Sequence, residues 1–244
     1  MQRAEFYVDP GRQAKSVLSA FLVGVAVSGV LVIGALIGAF TNPPQRLIAA
    51  ALAFSSGALI TSLAFDMFRE AFQTAGILLA GSGLMAGAAA FVAVDQLIGR
   101  YAGSKAPAIN TLVDGLPESV VLGAALVGNS PLGIISLILS LFISNLPESM
   151  EGAVTMKKRG RSKNFVLAVW SVAAAALALT VFASNFVLIG ADQTLVAFIR
   201  AFAGGAVLAS LSSNMMPKAY RDGGPFVSLA TAAGFVLAFS LTLF

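Results

Sequence analysis

Eight apolar runs, each close to or above 20 residues and separated by short connections, constrain this chain more than any other feature. About 20 apolar residues in a helix cross the hydrocarbon core of a bilayer. The runs fall at about 17–40, 47–68, 76–98, 108–128, 132–156, 164–188, 194–216 and 225–244. Turn-forming residues sit between them, as in Thr41-Asn42-Pro43-Pro44, Gly128-Asn129-Ser130-Pro131 and Asp222-Gly223-Gly224-Pro225. The pattern predicts an all-α membrane protein, with residues 1–244 forming a single polytopic domain. Only 11% of the 244 residues are charged and the mean hydropathy is +0.90. A soluble domain carries about 25% charged residues, so a water-soluble enzyme is excluded.

Two absences narrow the chemistry. The chain has no cysteine, which removes disulfides, iron–sulfur clusters and thiolate zinc sites. It has no histidine either, which removes imidazole ligands and the base of a Ser-His-Asp or intramembrane serine protease site. The sequence contexts of an intramembrane aspartyl protease are missing around Asp66 and Asp114. No cofactor is expected, and no enzyme activity. Any metal must be held by oxygen.

The net charge of +4 reflects loop residues rather than a nucleic-acid surface. The connections after the first, third, fifth and seventh runs hold Arg46, Arg100, Lys105, Lys157, Lys158, Arg159, Arg161, Lys163, Lys218 and Arg221. The other side holds Arg3, Arg12, Lys15, Arg69 and Arg200. Basic residues concentrate on the cytoplasmic side, so both termini are expected outside a cytoplasmic (inner) membrane. Glu5 and Asp9 make the N-terminal tail a poor signal-peptide start.

A shift of 148 residues superposes the second run on the seventh. Eight of the twenty positions from 53 to 72 are then identical, among them Phe54/Phe202, Gly57/Gly205, Ser62/Ser210 and Met67/Met215, while Asp66 falls on Asn214. The copies are five steps apart in run order, second and seventh, so they cross in opposite directions. This is the mark of an inverted repeat, a device of alternating-access carriers. The expected architecture is eight transmembrane helices in a 3+2+3 bundle with runs four and five at its centre.

Those central runs carry the acids. Run four contains Asn110, Asp114, Pro117, Glu118 and Ser119; run five contains Ser144, Asn145, Pro147, Glu148, Ser149 and Glu151. Leu-Pro-Glu-Ser occurs in both. Asn110, Asp114 and Glu118 repeat every four residues and share a helix face, as do Ser144, Glu148 and Glu151. Folded back as an antiparallel pair, the two runs bring Asp114 level with Asn145. Pro117 and Pro147 free the carbonyls of Val113 and Ile143, which need another partner in hydrocarbon. Carboxylates in one low-dielectric site bind a cation, share protons, or both. Glu151 lies toward the cytoplasmic mouth, near Lys157 and Lys158. Asp66 and Glu70 read as a helix-end charge cluster or a funnel for incoming metal. The glycines of run three (Gly81, Gly83, Gly87) and run seven (Gly204, Gly205) read as close helix packing, a face that also allows a homodimer.

With these residues in hand, the sequence resembles the ZIP (Zrt/Irt-like protein) metal transporters, as a divergent prokaryotic member. The family's fourth-span motif, His-Asn-x-Pro-Glu-Gly, corresponds to Asp114-Gly115-Leu116-Pro117-Glu118-Ser119. Its fifth-span motif corresponds to Ser144-Asn145-Leu146-Pro147-Glu148-Ser149. The Lys157-Lys158-Arg159-Gly160 stretch is family-like, as are Phe65-Asp66-Met67-Phe68-Arg69-Glu70 and Asn214-Met215-Met216-Pro217-Lys218. The resemblance implies transport of a divalent metal toward the cytoplasm, with Asp114, Glu118, Asn145, Glu148 and Ser144 as ligands. Zinc is the family's leading substrate, whereas an all-oxygen site suits Mn²⁺, Fe²⁺ or Mg²⁺. A second register puts Asn110 under the family histidine and Asp114 under the glutamate. The sixth run carries no acid near Ala175, which argues against a two-metal centre. The alternative is a proton-coupled carrier of another solute, with the same carboxylates relaying protons.

Overall fold

Prolines and glycines set the helix ends. The computed structural model describes residues 10–102, 107–127 and 131–242. Helix α1 (Pro10–Phe40) stops ahead of Pro43-Pro44, where the Thr41 hydroxyl donates to the Ile37 carbonyl at 2.6 Å. Helix α2 (Gln45–Thr61) follows and passes into a π-helical segment, Ser62–Phe68. Helix α3 (Arg69–Ala102) is broken near its start by Gly76, at φ 77° and ψ 168°, a conformation essentially confined to glycine. Helices α4 (Pro107–Ala125), α5 (Pro131–Lys158) and α6 (Lys163–Leu188) come next. Helix α7 (Gln193–Ser210) runs through a second π-helical segment, Leu211–Met215, into α8 (Met216–Gly223). Gly224, at φ 75° and ψ −169°, turns the chain toward α9 (Val227–Thr242).

Among the described residues there is no strand. Among the described residues five helical stretches are long and apolar enough to cross a membrane: Val17–Phe40, Gln45–Ile98, Gly133–Lys158, Lys163–Leu188 and Gln193–Gly223. The protein is a multi-pass membrane protein by this criterion. The second of these stretches, 54 residues long, holds two of the runs distinguished above. Part of the expected turn (128–130), the loop residue Lys105 and the tail residue Arg3 lie outside the described residues.

The surface is apolar where lipid would lie: Leu78, Val172, Val187, Phe226 and Leu229 are all exposed. In such a solvent apolar burial does not hold helices together; close packing and interhelical hydrogen bonds do. Helix α3 packs mainly on α7, α1 on α5 and α6, α2 on α9, and α4 on α6. A Cβ on Gly83 or Gly87 would press into Phe198 and Phe202 of α7, and one on Gly205 into the Leu84 backbone. Gly83, Gly87 and Gly205 are therefore used within the chain, whereas a Cβ on Gly81 would meet open space. Trp170, fully buried, anchors a cluster with Leu31, Ala35, Met156 and Val166 between α1, α5 and α6.

Asp192 caps α7, accepting from the backbone N–H of Thr194 at 2.8 Å and of Leu195 at 3.3 Å. Hydrogen bonds from the Thr194 side chain, then from these two N–H groups, hold its carboxyl below the ordinary 3.8. A depressed folded pKa stabilises above the unfolded value and is lost as the pH falls through the folded one. Asp192→Ala is accordingly expected to lower the unfolding temperature at pH 7 by more than at pH 3. An equal drop at both would contradict the cap's charge.

Candidate cation site in the bundle core

Pro117 and Pro147 both lie inside their helices, and the acids flanking them face the interior. Asp114 and Glu118 are buried, each 5% exposed. Two side chains of the α7 end reach Asp114 Oδ1: Ser210 Oγ donates at 2.8 Å and Asn214 Nδ2 at 2.9 Å. Glu118 and Glu148 each feel the charge of Asp114, and Glu148 feels Glu118 as well. The Thr111 hydroxyl also acts on Glu148. Three carboxylates from α4 and α5 thus share one electrostatic neighbourhood.

Beside them lies a cavity of about 400 Å³. Asp114, Glu148 and Glu151 line it, and so do Lys218, Arg159 and Arg221. Lys218 Nζ is paired with Glu151 Oε2, and Thr155 Oγ1 donates to Glu151 Oε1 at 3.0 Å. Charge from Lys218 also reaches Asp114 and Glu148. Glu151 is held by Lys218, not by Lys157, whose amine bonds the Thr41 carbonyl and Asn42.

The predicted ligands divide. Asp114, Glu118 and Glu148 lie within reach of one another's charge. Ser144 is fully buried but donates back to the Leu141 carbonyl of its own helix at 3.0 Å. Asn145 reaches the Val27 carbonyl of α1 at 3.4 Å. Among the described residues no three acids group closely enough to hold one metal ion. Ala175 is exposed; the face of α6 toward α4 presents Leu177, Val181 and Ser184 instead.

Sequence reasoning missed Thr111, Ser210, Asn214 and Lys218 as parts of this site. The repeat offered a signal for two of them, because Ser210 and Asn214 align with Ser62 and Asp66. Two charges sit elsewhere than expected. Arg200, counted with the outer-side charges, is 8% exposed within α7, bonding Glu70 Oε2 at 3.0 Å and the Ala124 carbonyl at 2.9 Å. Asp66, assigned to a helix end, is 6% exposed inside the first π-helical segment.

Neither protein-family models nor curated proteins give a match to this chain.

Proposed function

We propose that this chain is a divalent-cation permease of the ZIP-like kind, carrying metal across the inner membrane toward the cytoplasm. The observation that carries the proposal is that Asp114, Glu118 and Glu148 act on one another's charge inside the bundle, with Asp114 and Glu148 lining a cavity that also reaches Glu151. Such a set in hydrocarbon is costly unless positive charge compensates it. The cation is substrate, with Zn²⁺ first and Mn²⁺ or Fe²⁺ next.

An eight-span, 3+2+3 inverted repeat with both termini outside is part of the proposal. Three features support it. Gly76 and Gly224, 148 residues apart, adopt the same rare backbone geometry. The π-helical segments Ser62–Phe68 and Leu211–Met215 coincide under the same shift. The packing pairs also match on exchange of halves: α1 with α5 and α6 with α4, α2 with α9 and α7 with α3.

Lys218 acts as a tethered cation in this scheme. Its ammonium holds Glu151 and partly offsets Asp114 and Glu148 until a metal ion displaces it. Lys218→Met removes that competitor. The half-saturation concentration for metal uptake is expected to fall roughly tenfold, as loss of one unit charge a few ångströms from the site implies. An unchanged or raised value would remove Lys218 from the pathway. A second reading rests on the mixed lining of the cavity, three acids against three bases. That balance suits a zwitterionic solute, with protons on the carboxylates. Uptake by proteoliposomes of a divalent panel (Zn, Mn, Fe, Cd, Mg) separates the two, because the second predicts that none of these ions moves.

A further inference from the structure

Asp66 belongs to a second buried polar cluster, between the first π-helical segment and α5. Ser62 Oγ lies 3.2 Å from Ser136 Oγ and 3.0 Å from Ser140 Oγ. Ser62 and Ser136 are fully buried and Ser140 is 2% exposed. The hydroxyls of Ser136 and Ser62 also act electrostatically on the Asp66 carboxyl. Asp66 Oδ2 is buried with no hydrogen-bond partner among the described residues. A buried carboxylate oxygen left unpaired is expensive, and more so in a membrane. The basic residue whose charge reaches Asp66, Arg69, is exposed. Glu70, the neighbouring acid, is taken by Arg200.

The donor set selects the ligand. One carboxylate neutralises one positive charge, whereas a divalent ion here would leave a net charge in hydrocarbon. A proton would satisfy one oxygen and has no use for three converging hydroxyls. Both hydroxyl separations exceed the roughly 2.7–2.8 Å usual for O–H···O bonds. They approach the separation of oxygens that share a cation at about 2.4 Å. Ser136, Ser140, Ser144 and Glu148 follow at intervals of four, so one face of α5 runs from this cluster to the cation site.

We infer that Asp66, Ser62, Ser136 and Ser140 form a sodium site, and that sodium bound there is the coupling ion of the carrier. The coupling half rests on the transport function proposed above; the binding half does not. The test uses the purified full chain without divalent metal. Binding of radioactive sodium and thermal unfolding are followed in sodium, potassium and choline chloride. Wild type is expected to show saturable binding and a rise in unfolding temperature in sodium alone. Asp66→Asn should lose both, and Ser140→Ala should weaken binding at least tenfold. No sodium-specific effect in wild type, or an undiminished one in both variants, overturns the site. If Asp66→Asn does not fold, Ser136→Ala/Ser140→Ala takes its place, and undiminished sodium binding in that variant overturns the site. In proteoliposomes an inward sodium gradient should stimulate wild-type metal uptake several-fold. Sodium binding without that stimulation overturns the coupling. Sodium binding with no metal uptake at all leaves the site standing and overturns the metal permease.

Discussion

Proteoliposomes carrying Glu118→Gln/Glu148→Gln are expected to take up divalent metal no faster than empty vesicles, a loss of at least about a hundredfold against wild type. The two carboxylates stand in the field of Asp114, and with it they supply the negative charge that would compensate a dehydrated cation. Glutamine keeps size and hydrogen bonding but removes both charges. Removing like charges from a low-dielectric core also relieves repulsion, so the variant should unfold no earlier than wild type. Lost transport with unchanged or raised stability assigns the carboxylates to cation binding. Lost transport with collapsed stability assigns them to packing. Should wild type itself move no ion, the ZIP-like character of the chain is confined to its helices.

Local patterns made the helices legible. Pro43-Pro44 and Gly224 end or separate them as turn chemistry requires, and the apolar runs have the length a membrane imposes. The central acids were legible too, because Leu-Pro-Glu-Ser occurs twice. Long-range pairing was hidden. A charge count treats any Arg near the end of a run as a loop residue, yet Arg200 finds Glu70, 130 positions away, and goes inside. Lys218 looked like a loop cation and proves to be the partner of Glu151. Ser144 illustrates the converse: at a ligand position by motif, its hydroxyl is spent on its own helix. Sequence spacing places a side chain on a face; it does not say which of several oxygens on that face the side chain will meet.

Arg200→Met is expected to lower the unfolding temperature by roughly 10 °C, following a loss of about 3 kcal/mol. The guanidinium joins three helices, with Nη1 on Glu70 of α3 and Nη2 on the Ala124 carbonyl at the end of α4, from its own place in α7. Methionine fills similar volume but leaves the Glu70 carboxylate and that carbonyl without their partner. The cost stays at the low end for a buried pair because the Glu70 side chain is 29% exposed and partly solvated. Glu70→Gln/Arg200→Met removes the uncompensated charge and should recover more than half of the loss. That recovery separates a broken ion pair from a packing defect, which the second substitution would deepen. Equal stability of Arg200→Met and wild type would mean that α3 and α7 are held by their glycine contacts alone. Arg200 bonds the end of α4, whereas Lys218 lines the cavity with Asn110 near the start of that helix, so transport is measured in the same variant. A destabilised α3–α7 contact with intact uptake would make Arg200 a purely structural clamp, whereas impaired uptake after stability is restored by the double substitution would give it a part in the carrier's movement.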